Sequence, residues 1–477
     1  MAATGRHAGN TTRSLAVAVL ALSLATGDAV AATKSFAIAR AADPPSINGA
    51  IAPGEWDGAV VVTDLHQVEP IEFSGASEAT TWYLFYDDRF LYVAAIAYDS
   101  APDAVVAQEL RQGGRIRSDD SLHILVDPFN NKRSGYTFAL NPNGVRADGI
   151  YTSGTRLSSE WDGIWQGEAR RTDDGWSMEM AIPFDTLTFD PGNDTWGVNL
   201  WREIPRKDET IGWNSRGGEI DPTVSGEMRG LSGMSQGKGI EAVPSLSATR
   251  VHDRADSVKD SALTPSLDLN YKIANAFNAL LTINTDFAAT EVDDRQIGLQ
   301  RFSLFFPEKR KFFLTDFDIF QFGGVPVGSG RAFRQPGLFS GTNGLAFFSR
   351  RIGLNEDREP VDILYGTKLS GRAGNNDFGV LYIRQDADRD IDETDFYVAR
   401  LTRGVLEEST VGLIYTTGDP ESNDDNSLLG ADFIYRNTRI GDNRSLVGQF
   451  WLQKSDTAGT EGRDSAYSAV VSLPAQF

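Results

Sequence analysis

"FYVARLTRG" (396–404) and "STVGLIYTTGD" (409–419) alternate apolar and polar residues and break at glycine. Period-two alternation is the pattern of a β-strand whose side chains face two different surroundings. It recurs in "PSLDLNYKI" (265–273), "AFNALLTINTDF" (276–287), "VDILYGTKLSG" (361–371) and "FGVLYIRQD" (378–386), then in "SLLGADFIYRN" (427–437) and "SLVGQFWLQK" (445–454). Each run is about 9 to 11 residues long, the length with which a tilted strand crosses a bilayer. Acidic tracts rich in Gly and Asn separate them: "GRAGNND", "DADRDIDETD" and "GDPESNDDN". Tyr365, Tyr382, Tyr397, Tyr415 and Tyr435 stand near strand ends, as aromatic girdles do. Residues 240–477 therefore read as a transmembrane-type antiparallel β-barrel, whose closure pairs every backbone group where no water can. A long soluble sandwich would alternate in the same way. The candidate strands after Pro244 number roughly ten or eleven, and bacterial barrels have even counts, so the expectation includes a barrel that this chain leaves incomplete. The terminal Phe477 is in keeping with an outer-membrane insertion signal.

The N-terminus supplies a route to an envelope. Arg6 and Arg13 precede the apolar "SLAVAVLALSLA" (14–25), and Ala29-Val30-Ala31 makes a small-x-small cleavage site, so 1–31 reads as a signal peptide. The apolar stretch falls short of the roughly 20 residues a spanning helix takes. The chain has 477 residues, a formal charge of −21 and no cysteine. That length fits two or three domains. The acidic balance argues against a nucleic-acid partner. The absence of cysteine excludes disulfides and thiolate metal sites.

One tract interrupts the strands. "RFSLFFPEKRKFFLTDFDIFQFG" (301–323) mixes eight phenylalanines with Glu308, Lys309, Arg310, Lys311, Asp316 and Asp318. It lies in an inserted segment, 287–345, which is expected either to fold inward or to lie at headgroup depth, its cations meeting interior acids or lipid phosphates.

The first half shows short strand-like runs between turns: "TTWYLFYD" (80–87), "FLYVAAIAYD" (90–99), "SLHILVDP" (121–128), "GWSMEMAIPF" (175–184) and "TWGVNLWREI" (195–204). Such spacing without a long amphipathic helix predicts an antiparallel β-sandwich over 40–235. "PPSINGAIAPGEWDGA" (44–59), "FLYVAAIAYDS", "DDSLHILVDPFNN" and "MEMAIPFDTL" follow one another as in a family 9 carbohydrate-binding module, which the segment resembles. The resemblance implies a jelly-roll-like sandwich that binds sugars, often with structural calcium.

Sugars lie on open aromatic faces beside polar groups. Trp176 and Trp196 sit in alternating runs and are expected to be buried, and Trp56 to pack; Trp161 and Trp165, in "SSEWDGIWQGEA", are the candidate sugar contacts. The family's tryptophan upstream of "DDS" is absent; "RQGGRIRSDDS" offers Arg115 and Arg117 instead, and His123 stands where sugar-binding members place an acid. Asp119, Asp120 and Asp127 are candidate oxygen ligands for calcium. Hydrolysis of glycosides needs two facing carboxylates. Asp148, Glu160, Asp162 and Glu179 show no such pairing by spacing, and no nucleophile elbow or zinc motif is present.

"TDFAATEVDDRQIGLQRFSLFFPEKRKFFLTDFDIFQFG" (285–323) resembles the hallmark of an uncharacterised family of exported bacterial proteins, which joins a family 9-like module to an outer-membrane barrel. The whole reads as an exported envelope protein that binds saccharide or glycan, meets outer-membrane lipid and serves carbohydrate uptake or catabolism. The alternatives are a glycoside hydrolase, by family association only, and a structural or transport barrel with a non-binding sandwich.

Overall fold

The alternating runs form strands, and helix is almost absent among the described residues. The computed structural model describes residues 34–114, 116–152, 156–235, 239–252, 259–273, 276–285, 308–323, 344–355, 361–389, 391–419, 422–440, 444–459, 462 and 464–472. The expected signal peptide and most of the inserted segment lie outside these residues.

Two sheets build the first half. The smaller runs in the order Gln166–Thr172, Gly175–Pro183, Phe90–Tyr98, Thr80–Tyr86, Val60–Val62, all antiparallel. The larger centres on Gly135–Leu140, Ser121–Asp127 and Thr195–Ile204, which are paired antiparallel. Its one parallel pairing joins Ser35–Ala37 to Gly226–Arg229. Alternate residues of each strand face the other sheet, so Trp82, Leu84, Val93 and Trp176 meet Ile124, Phe138, Trp196 and Val198 in a common core. Trp176 and Trp196 are fully buried, as their neighbours predict. On its far side the smaller sheet is covered by the opening motif, where Trp56 packs edge-on against Phe85.

The second half is one ten-stranded antiparallel meander in strict chain order: Ile240–His252, Lys259–Ile273, Phe277–Thr285, Ile363–Ala373, Asn376–Gln385, Thr394–Val405, Ser409–Thr417, Asn426–Ile440, Arg444–Thr457 and Ser465–Ser472. Among the described residues, its first and last strands pair only with their chain neighbours. No helix among the described residues is long and apolar enough to cross a membrane, which says nothing of strands.

The two faces of the meander differ in an unusual way. Its buried face carries Asn278, Thr282, Lys368, Ser370, Gln385, Arg400 and Asp432 beside Leu381, Ile383 and Val398. Its exposed face is apolar: Leu369, Val380, Leu401, Leu413, Leu429 and Leu452 all stand open. Tyr382 and Tyr397 pair across neighbouring strands with ring centroids 4.7 Å apart, and nearer the other strand ends Phe277 and Phe378 meet at 5.0 Å over Gly371 of the strand between them. Beyond Tyr382 comes an ion pair, Arg384 with Asp395 at 2.7 Å.

Residues 308–323 lie against the buried face. Their turn Lys311–Leu314 is the single α-helical turn among the described residues. Phe312, Phe313, Ile319, Phe320 and Phe322 form one core with the inward residues of the sheet. Of the two expectations for this tract, inward folding is the one met within 308–323.

Sandwich and meander belong to one compact unit, Lys34–Phe477. Arg133 reaches Asp377 at 3.2 Å. Lys272 donates to the backbone carbonyls of Asp185 and Leu187, and Asn278 donates to Thr188 at 3.3 Å.

Candidate functional site

Strand alternation separates the predicted sugar contacts. Along Ser121–Asp127 the residues Leu122, Ile124 and Val126 enter the core, so Ser121, His123 and Leu125 face outward from the larger sheet. His123 lies opposite Trp201 on the adjacent strand, and the two rings stack at 4.7 Å with an interplanar angle of 10°. The His123 Nε2 is 2.8 Å from the Ser121 hydroxyl. Trp201 rests on Val68, Leu125, Tyr151 and Ile220. Two residues further on, Glu203 accepts a hydrogen bond from the Thr210 hydroxyl at 2.6 Å. Trp201, Ser121 and Thr210 are buried, so this face offers the half-buried His123 ring, backed by the indole, beside the half-buried Glu203 carboxylate.

Trp161 and Trp165 sit on the opposite side of this sheet. His123 pairs with Ala139, and the next residue along, Phe138, points inward to meet both indoles, at 5.9 Å and 5.4 Å. Trp165 is buried, donates to Asp148 at 3.1 Å and lies under the Arg146 guanidinium. Trp161 is half-buried on Tyr136 and packs against the core. The expectation that these two tryptophans join His123 in one site is therefore corrected: the period of the strand places them on different faces. Arg115 lies outside the described residues. Arg117 belongs to the turn Ile116–Ser118, with its side chain outside them.

The three candidate calcium ligands do not converge either. Asp120 and Asp127 bracket a seven-residue strand, which spans about 23 Å at 3.3 Å per residue. Asp119 accepts from the backbone N–H groups of Gln108 and Glu109 and from Asn141. Asp127 accepts from the N–H groups of Phe129 and Lys132, closing the turn after its strand. Burial pushes its carboxyl up to about 6. Asp120 takes the Val106 N–H and faces Arg202 and Arg206, both at 3.9 Å; burial raises its pKa too. Among the described residues no group of three His, Cys, Asp or Glu side chains is arranged to hold a metal ion. These acids serve the backbone and an ionic cluster instead. In that cluster Arg202, fully buried, meets Asp99 at 3.1 Å, and Arg206 meets Asp99 at 2.7 Å. Burial would raise the Glu78 pKa, but hydrogen bonds from Lys207 and Ser100 more than offset it and hold the group near 2.

Two of the acids considered for glycoside chemistry, Glu179 and Asp148, have structural partners. Glu179 accepts from the N–H groups of Asn48 and Gly49 and from the Trp56 indole, each at 2.9 Å, and so ties the opening motif to the smaller sheet. Asp148 accepts from Gly163 N–H and the Trp165 indole, and burial lifts its carboxyl to about 6.

Ordered motifs over a sandwich with this core identify the first half. Residues 47–229 match the carbohydrate family 9 binding domain-like model. The family 9-like domain is thus the one its four motifs announce, and the His123–Trp201 pair lies within it. Residues 241–382 match a domain of unknown function, DUF5916. No curated protein matches the chain. Among solved structures, a family 9 module from Caldicellulosiruptor kristjanssonii in complex with cellotriose is 18% identical, covering 42% of this chain and 95% of its own, with a TM-score of 0.31. The module from the same organism in complex with glucose is 19% identical, covering 43% and 98%, with a TM-score of 0.31. An anion-selective porin from Comamonas acidovorans is 10% identical, covering 87% and 94%, with a TM-score of 0.25.

Sequence reasoning singled out His123 but left Trp201 among the tryptophans without a role. The signal that would have found it is its ladder position opposite His123, which no local pattern encodes.

Proposed function

We propose that this is an exported envelope protein in which the family 9-like domain captures a saccharide and the meander seats it in an outer membrane. Capture would serve uptake or catabolism of the sugar by the cell. One observation carries the membrane part: the meander turns its ionic and amide side chains inward and its leucines outward. In water that arrangement exposes apolar surface and desolvates charge, both unfavourable. In lipid it is the expected one for a spanning sheet, with aromatic residues toward the strand ends. The export signal read at 1–31 is in keeping with this.

The saccharide part rests on the family match over 47–229 and on the stacked pair of His123 and Trp201, beside Glu203. A sugar would meet the half-buried His123 ring and Glu203 carboxylate on this face, with the buried Trp201 holding the imidazole from beneath.

Two measurements test the proposal. Fractionation of expressing cells with alkaline extraction and protease shaving should recover the full chain in the outer membrane. Calorimetric titration of the full chain in detergent with glucose and cellotriose, the ligands of the two Caldicellulosiruptor complexes, should give binding that Trp201→Ala weakens. Recovery in the soluble fraction refutes the membrane reading. Binding unchanged in Trp201→Ala and His123→Ala refutes this face as the site.

A further inference from the structure

We propose that residues 308–323 are a resident plug of the meander, so that the chain anchors its sandwich in the membrane without conducting the sugar itself. The proposal rests on the membrane reading above and adds to it a statement about permeability.

The sheet is shaped to receive this tract. Three of its inward glycines, Gly366, Gly379 and Gly430, each lie beneath a phenylalanine ring of the tract. A Cβ on Gly366 would come within 3.3 Å of the Phe312 ring, one on Gly379 within 2.4 Å of Phe320, and one on Gly430 within 2.6 Å of Phe322. Glycine inside a strand weakens it and leaves room for a close neighbour. None of the three has a positive φ, so the room, rather than the backbone, accounts for them. The sockets lie on Ile363–Ala373, Asn376–Gln385 and Asn426–Ile440, so the rings bridge distant parts of the sheet.

Polar groups pin the same tract. Lys368 donates to the carbonyls of Phe312 and Thr315, capping the single helical turn. Asp316 accepts from Asn278 at 2.7 Å and from Ser370 at 2.5 Å. Arg372 pairs with Asp318, and Gln449 donates to the Gly323 carbonyl at 3.0 Å. Every one of these wall groups comes from the buried face that would line an aqueous channel. Each of them donates to the tract rather than to water. Release of the tract would strand buried charges on both sides, which resists its leaving spontaneously. The sandwich closes on the same region, since Arg133 meets Asp377 at 3.2 Å, and Asp377 lies 3.8 Å from Arg372.

The test uses the full chain reconstituted in phospholipid vesicles, with insertion scored by resistance to alkaline extraction. Efflux of entrapped glucose is compared for wild type, for Gly379→Val with Gly430→Val, and for Ala399→Val on the outer face. Wild type and Ala399→Val should insert and stay as tight as protein-free vesicles. The double variant, which refills two sockets from the wall side, should insert and leak about tenfold faster or more, as an opened barrel does. Inserted wild type that leaks overturns the plug while leaving the membrane reading intact. An inserted double variant as tight as wild type also overturns it. Failure of wild type to insert refutes the membrane reading, and the plug with it. If the double variant does not fold, hydrogen exchange in inserted wild type decides: the amides of Phe313, Leu314, Thr315 and Ile319, bonded within the tract's turns, should be strongly protected. Exchange at the rate of open chain overturns the plug.

Discussion

Replacing Leu401 with arginine should destabilise the meander by about 1–4 kcal/mol, the cost of placing a cation on the lipid face of a spanning strand between mid-depth and the interface. Leu401 is 51% exposed and pairs with Phe378 on one side and Leu413 on the other, within the apolar face. If that face met water, the same substitution would fall within about 0.5 kcal/mol of neutral. The neighbouring residue provides the contrast. Arg400 points inward and makes two hydrogen bonds to Asp432, at 2.9 and 2.7 Å, with both residues buried. Arg400→Ala leaves that carboxylate without its cation and should cost about 3–5 kcal/mol whatever lies outside. Arg400→Met with Asp432→Leu, which removes both charges, should recover most of this. The assay is urea unfolding of the full chain from vesicles, followed by tryptophan fluorescence and by heat-dependent gel mobility. A neutral Leu401→Arg beside a costly Arg400→Ala would refute the lipid assignment while upholding the packing.

Glu179→Ala leaves the donors of Asn48, Gly49 and Trp56 without their acceptor, and should cost about 2–6 kcal/mol at 1–3 for each of the two buried donors, Gly49 and Trp56, read from chemical unfolding of the sandwich; a loss under about 1 kcal/mol would contradict the assigned bonds. Asp148 has its pKa raised by burial to about 6, against about 3.9 in the unfolded chain, so the native state binds its proton more tightly. Its contribution is therefore complete below about pH 4 and is lost as pH rises through 6, by up to about 3 kcal/mol. Asp148→Asn keeps an acceptor for Gly163 and Trp165 and should remove that fall; unfolding midpoints of both proteins at about pH 3.5 and 7.5, which span the two pKa values, measure it, and an equal pH dependence refutes it. Gly49 has a φ of +79°, and a Cβ there would come 2.7 Å from the Ala169 carbonyl carbon, so Gly49→Ala should destabilise by at least about 1–2 kcal/mol and displace the opening motif, as seen by thermal unfolding.

Much of the candidate site was out of reach of the linear chain. "DDSLHILVDP" announces a strand with two faces, and His123 was marked on it, yet its ladder partner Trp201 stands 78 residues later in the chain. Trp161 and Trp165 read as candidate sugar contacts because they stand among polar residues. What turned them inward was Phe138, reached only through the pairing of two other strands. Asp119, Asp120 and Asp127 have the chemistry of cation ligands, and nothing local says that backbone N–H groups had already taken their oxygens.

What the amino-acid order determined by itself is the period: side chains alternate along an extended backbone, so every run from 265 onward was bound to present two unlike faces, and the sandwich strands to share a core. It also determined the opening motif and its family. Which face of the meander turns inward was left to the tertiary structure. Apolar residues occur on both faces, Val398 on one and Leu401 on the other, and periodicity cannot tell them apart. The choice was made when the phenylalanines of 308–323 found glycine sockets on one side and their charged neighbours found Asn278, Lys368 and Arg372 there. A ring fits only where a neighbour lacks a side chain, and a buried charge is tolerated only beside its counter-charge. Both conditions are met between residues far apart in the chain, and only folding brings them together.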